Sequence, residues 1–106
     1  MQIPEDRKKA LLRNWGPMAE SLDCVAEIKV IDQREHWACY VFAMNPENED
    51  EIACLFHDKL GGIEIWDWSW HELCQLYDGE GEYPMLDPEY RRIRVTALLK
   101  RLKNDT

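Results

Sequence analysis

The sequence predicts one α+β domain over residues 1–106. Its centre is a four-stranded antiparallel sheet packed against an N-terminal and a C-terminal helix, in the order α-β-β-β-β-α-α. Three observations predict this. Short apolar runs rich in β-branched and aromatic residues recur between Cys24 and Asp67, separated by hairpin-length turns. Helix start and stop signals flank those runs on both sides. The chain is long enough for one core, and five Trp, four Tyr and two Phe supply large buried area without metal or disulfide staples.

Pro4, Glu5 and Asp6 form a good first helical turn, with acids placed where the helix dipole favours them. Ala10, Leu11 and Trp15 give that helix an apolar stripe, and Gly16-Pro17 ends it. Residues 18–23 are a connector. Residues 24–32 (CVAEIKVID) alternate as a strand, and Gln33, Arg34 and Glu35 make the turn that follows. Residues 37–44 (WACYVFAM) are almost continuously apolar, which suits a central strand covered on both faces. A buried helix would show the same pattern.

Residues 45–51 (NPENEDE) read as a polar loop, residues 52–57 (IACLFH) as a third strand, and residues 58–62 (DKLGG) as a turn with both glycines at positive φ. Residues 63–67 (IEIWD) are the fourth strand. Ser69-x-x-Glu72 is a capping box that opens a short helix over residues 70–77, stopped by Gly79. Asp87 as N-cap and Pro88 at the first position start the last helix, over residues 88–103. Tyr90, Ile93, Ala97 and Leu98 form its stripe. The helices are expected on one face of the sheet.

Charge is distributed unevenly. Residues 45–89 hold thirteen carboxylates against a single base, Lys59, whereas residues 90–106 hold six bases against one acid. The net charge of −8 favours basic proteins as partners and disfavours nucleic acid and anionic membranes, which need Lys and Arg against phosphates. The N-terminus lacks the uninterrupted apolar stretch of a secretory leader, and no run approaches the roughly 20 apolar residues that span a bilayer. Cys24, Cys39, Cys54 and Cys74 contain no C-x-x-C pair and are expected as reduced, largely buried thiols of a cytoplasmic protein.

Chemistry-bearing patterns are sparse. His36, His57 and His71 each adjoin a carboxylate, at Glu35, Asp58 and Glu72, but none has metal-site spacing, so no metal or cofactor is expected. Cys54 or Cys74 with His57 or His71 gives a drawable catalytic pair, yet both cysteines sit in apolar surroundings that suit core packing. Gly61-Gly62 lacks the extended pattern of a phosphate loop. No catalytic residue is assigned. Arg91, Arg92, Arg94, Lys100, Arg101 and Lys103 make the C-terminal segment basic. Compensation by Asp87, Glu82 or Glu80 explains them more economically than contact with nucleic acid.

The aromatic residues give the acidic stretch its interest. Trp66, Trp68 and Trp70 recur with period two, on one face of an extended segment and opposite Ile63 and Ile65. Either that face is an open binding platform, or the strand ends at Asp67 and Trp68 and Trp70 cap the core. The expected function is therefore a small, acidic, non-enzymatic protein-binding protein. It would act as an inhibitor or immunity-type protein, in the style of immunity proteins for nuclease toxins and phage-encoded inhibitors of host defence. The expected binding residues are Glu49, Asp50, Glu51, Trp66, Asp67, Trp68, Asp78, Glu80, Glu82 and Tyr83, set against a basic site on a nuclease or another nucleic-acid-binding protein. The alternatives are a ligand- or metal-binding domain or enzyme built on His57, His71 and nearby acids, or an oligomeric structural subunit.

Overall fold

The computed structural model describes residues 1–77 and 79–104. Its main sheet has five strands rather than four: β2 (Ile28–Ile31), β3 (Trp37–Asn45), β4 (Asn48–Asp58), β5 (Ile63–Ser69) and β6 (Met85–Leu86), in the spatial order β5-β4-β3-β2-β6. All pairings are antiparallel, and β2 to β5 form the expected meander. The added strand, β6, pairs Leu86 with Val30 and Met85 with Ile31. A separate two-stranded ribbon joins β1 (Val25–Ala26) to β7 (Ile93–Arg94).

Helices cover both faces of the sheet, not one. α1 (Glu5–Asn14) and α3 (Trp70–Cys74) lie on the face that carries Val30, Cys39, Val41, Ile52 and Cys54. α2 (Pro17–Glu20), α4 (Val95–Asn104) and the β1–β7 ribbon lie on the face that carries Tyr40, Phe42, Ala53 and Leu55. The unbroken apolar run of β3 follows from this double covering, since both alternating sets of side chains are buried.

A bulge in β3 between Val41 and Ala43 puts Phe42 and Ala43 on the same face. The register skips Phe42, and the buried Asn14 amide of α1 donates to its carbonyl at 3.0 Å. One helix is thereby fixed to the irregularity, because an unmet buried carbonyl is costly. Glu27, only 5% exposed, accepts from Arg92 at 3.0 Å and faces Arg7 at 3.6 Å, which ties α1 to the segment ahead of β7.

Several boundaries differ from the sequence expectation: the strand expected over residues 24–32 breaks at Glu27 into β1 and β2, in separate sheets, and part of the connector at residues 18–23 belongs to α2. The loop at residues 45–51 is a tight turn at Pro46-Glu47, with β4 already running from Asn48. The short helix stops at Cys74. The last helix starts at Val95 instead of residue 88. The Asp87 carboxylate accepts the Glu89 amide at 2.9 Å in a turn, and Tyr90 donates its hydroxyl to Ala26 O at 2.7 Å. These contacts hold the chain extended until β7 has paired. Burial pushes the Tyr90 phenol up to about 12. Gly61 has φ of 90° and is the one residue of the β4–β5 turn that needs it, so the expectation for Gly62 does not hold.

All four cysteines are free, and Cys24, Cys39 and Cys54 are buried. No helix among the described residues is long and apolar enough to cross a membrane.

Candidate functional site

The register places the expected binding residues at two diagonally opposite corners of the sheet. β3 begins at Trp37 opposite Asp58 and ends at Asn45 opposite Asn48. Asp50, Glu51, Asp67 and Trp68 lie at the second of these ends, on the edge strand β5 and its neighbour β4. Glu80 and Tyr83 lie at the first end, beyond β2. There Glu80 pairs with Arg34 at 2.8 Å and Gln33 donates to the Tyr83 carbonyl at 2.9 Å. Glu82 is engaged as well, and Tyr77 and Tyr83 rings pack at 5.2 Å. Asp78 lies outside the described residues.

The β4–β5 corner is built around Trp68. Its indole packs at a tilt against Trp66, ring centroids 4.9 Å apart, and Phe56 and Trp37 extend the cluster across β4 and β3. Both readings of the tryptophans are thus partly met. The strand continues to Ser69, so Trp66 and Trp68 share a face, but each is half-buried. Trp70 starts α3 and packs on the core. Beside Trp68 is a hollow of about 360 Å³, lined by Asn48, Asp50, Glu51, Asp67, Trp68, Ser69 and Glu72.

Neutral donors organise its carboxylates. Ser69 Oγ donates to Asp50 at 2.5 Å, and the His71 amide donates to the other Asp50 oxygen at 2.8 Å. These bonds, led by the Ser69 hydroxyl, hold the Asp50 carboxyl below its ordinary value of 3.8. Ser69 Oγ also accepts the Glu72 amide at 3.1 Å, as the capping box requires. Glu72 accepts the Trp68 indole N–H at 3.1 Å, and Glu51 accepts the Asn45 amide at 3.0 Å. No Lys or Arg among the described residues pairs with Asp50, Glu51, Asp67 or Glu72, so the corner keeps its negative charge. Glu49 is different: it points to Lys8 of α1, at 2.5 Å.

Glu72 was not among the sequence candidates. The capping box explained Glu72 without a site, and its contact with Trp68 arises only from the turn of the chain at Ser69 between β5 and α3. Two bases of this segment are compensated, by other acids than expected: Arg92 meets Glu27 and Arg94 meets Asp23 at 2.9 Å. Asp87 instead faces Lys29 at 3.5 Å.

His57 and His71 occupy opposite ends of the β4–β5 ladder and do not converge. No group of metal-ligating side chains assembles among the described residues. His57 lines a second hollow of about 290 Å³ with His36, Lys29, Lys59, Asp58, Asp87, Trp37 and Tyr40. Its Nε2 is buried and has no hydrogen-bond partner among the described residues. Comparison with protein-family models, curated proteins and solved structures finds no match to this chain.

Proposed function

We propose that this chain is a non-enzymatic protein-binding domain that acts as an inhibitor or immunity-type protein. Its β4–β5 corner occupies a basic site on another protein, of the kind with which a nuclease or other nucleic-acid-binding protein holds phosphates. The observation that carries this reading is the set of Asp50, Glu51, Asp67 and Glu72 around Trp68, uncompensated by Lys or Arg. Carboxylates held by neutral donors are pre-positioned and still charged, so they complement a cationic surface with little reorganisation. The half-buried indole supplies the rigid apolar anchor.

Capture from an extract of the source cell, read by mass spectrometry with wild-type protein and with Glu51→Lys/Asp67→Lys, tests it. Basic proteins retained by the wild type, released by salt and absent with the variant support the reading. Capture that ignores both salt and charge reversal rejects it.

A second reading rests on the hollow at His57, which two lysines also line and where a buried imidazole nitrogen has no partner among the described residues. It is a small-ligand domain. Calorimetric titration with inorganic phosphate and with Zn²⁺, repeated on His57→Ala, distinguishes it: heat that vanishes with the substitution supports it.

A further inference from the structure

The outer edge of β5 is unpaired, and its hydrogen-bonding pattern can be read from the turn. β5 is the last strand of the sheet, bonded to β4 on one side. The Asp58 amide donates to Gly62 O at 3.0 Å, which fixes the alternation of bonded and non-bonded pairs along the ladder. Glu64, Trp66 and Trp68 therefore bond inward to Phe56, Cys54 and Ile52. The N–H and C=O groups of Ile63, Ile65 and Asp67 face outward, and none meets a partner among the described residues. An edge of this kind is a template for another strand.

The side chains along the edge say which strand fits. Glu64 and Asp67 are exposed on opposite faces of β5, and Asp50, Glu51 and Glu72 crowd its C-terminal end. Ile65 is 43% exposed and borders a hollow of about 330 Å³ shared with Trp15, Ala19, Leu22 and Trp66. A second copy is a poor occupant. Antiparallel pairing of β5 with itself joins two edges that each carry Glu64 and Asp67 and no Lys or Arg, on molecules already at −8.

We propose that the partner engages by strand addition. A basic, extended segment pairs with the outer edge of β5, sets Lys or Arg against Glu64 and Asp67, and inserts one apolar side chain beside Ile65. The proposal rests on the acidic-corner reading above and names its mode of recognition. Backbone bonds give the segment its register, and the carboxylates select its sign.

The test uses ¹⁵N-labelled protein and a capped lysine–valine octapeptide that places lysines on both faces of the strand, around one central valine. Expected are shifted and exchange-protected amides at Ile63, Ile65 and Asp67, with Glu64, Trp66 and Trp68 little changed. N-methylation of alternate peptide amides, made in both registers, should weaken the binding of one register by about tenfold or more. A glutamate–valine peptide should not bind. Ile65→Pro deletes an outward N–H and no β4–β5 bond, and should also abolish binding. If that variant does not fold, the methylated peptides still decide. Equal binding of both methylated peptides, shifts confined to Asp50, Glu51 and Glu72, or no binding of the lysine–valine peptide overturns strand addition. None of these touches the acidic-corner reading, which falls only if partner capture is indifferent to Glu51→Lys/Asp67→Lys.

Discussion

The two acidic corners of the sheet differ in how their carboxylates are satisfied. Beyond β2, Glu80 faces the Arg34 guanidinium at 2.8 Å. At the β4–β5 corner the donors are a hydroxyl on Asp50, an indole on Glu72, a side-chain amide on Glu51 and the backbone of His71. A cation cancels the field of the group it holds; a neutral donor orders the group and leaves the field in place. Acidic composition alone therefore says little about where a basic partner will bind. The chemical identity of each donor decides it, and that separates two stretches that look equally acidic in sequence.

The comparison breaks most sharply under charge reversal. Glu51→Lys/Asp67→Lys should weaken binding of a captured basic partner by about a hundredfold, measured by surface plasmon resonance at low salt. Glu80→Lys should leave the same affinity within about twofold, since that corner stands apart from the proposed surface and its carboxylate already faces Arg34. Equal losses at both corners would erase the distinction.

Next in size is the anchor. Trp68→Ala should cost about 2 kcal/mol of folding stability in urea titration, because a half-buried ring leaves its contact with Trp66. It should also cost about tenfold in partner affinity. Trp68→Phe keeps most of the ring contact but removes the N–H given to Glu72, so it should retain stability while loosening that carboxylate.

A smaller effect lies in the acid limb of the stability curve. The Asp50 carboxyl is depressed in the folded protein, so its contribution is present above 3.8, its ordinary value, and is lost as pH falls through the lower folded value. Ser69→Ala removes the leading cause. Wild type and Ser69→Ala should therefore differ more in urea midpoint near pH 6 than at the acid end, where only the loss of the helix cap remains. A difference that stays constant into acid would assign the hydroxyl a purely structural role. The smallest effect is expected at Arg34→Ala. Both partners of its ion pair are substantially exposed, and the stability change should stay within about 0.5 kcal/mol.

Much of the sheet was legible because its signals are local. Alternation in β2, the apolar run of β3 and the hairpin turns that follow placed β2 to β5, and the capping box placed Ser69 with Glu72. The fifth strand was not legible, since two residues such as Met85 and Leu86 carry no period. The start of α4 was misread because Asp87-Pro88 is a sound helix opening that tertiary contacts override. Lys29 and the Glu89 amide claim the Asp87 carboxylate, and Ala26 claims Tyr90. At the corner, Asp50, Glu51, Asp67 and Trp68 were visible from the sequence and Glu72 was not. Their grouping was not, because it depends on β4 pairing with β5 at Glu51–Ser69 and on the far loop being drawn to Arg34.

The ribbon of β1 and β7 has a consequence for how the chain assembles. The meander from β2 to β5 joins neighbours through short turns, so each pairing closes a small loop. The ribbon closes a long one: Asp23 and Arg94, which bridge beside it, are 71 residues apart. Forming it early would spend chain entropy that only the finished core returns. The hairpins should therefore form first and the two chain ends dock last, together. Substitutions at Ile93 or Val25 are then expected to speed unfolding and leave the refolding rate nearly unchanged, whereas substitutions at Val41 or Cys54 should slow refolding.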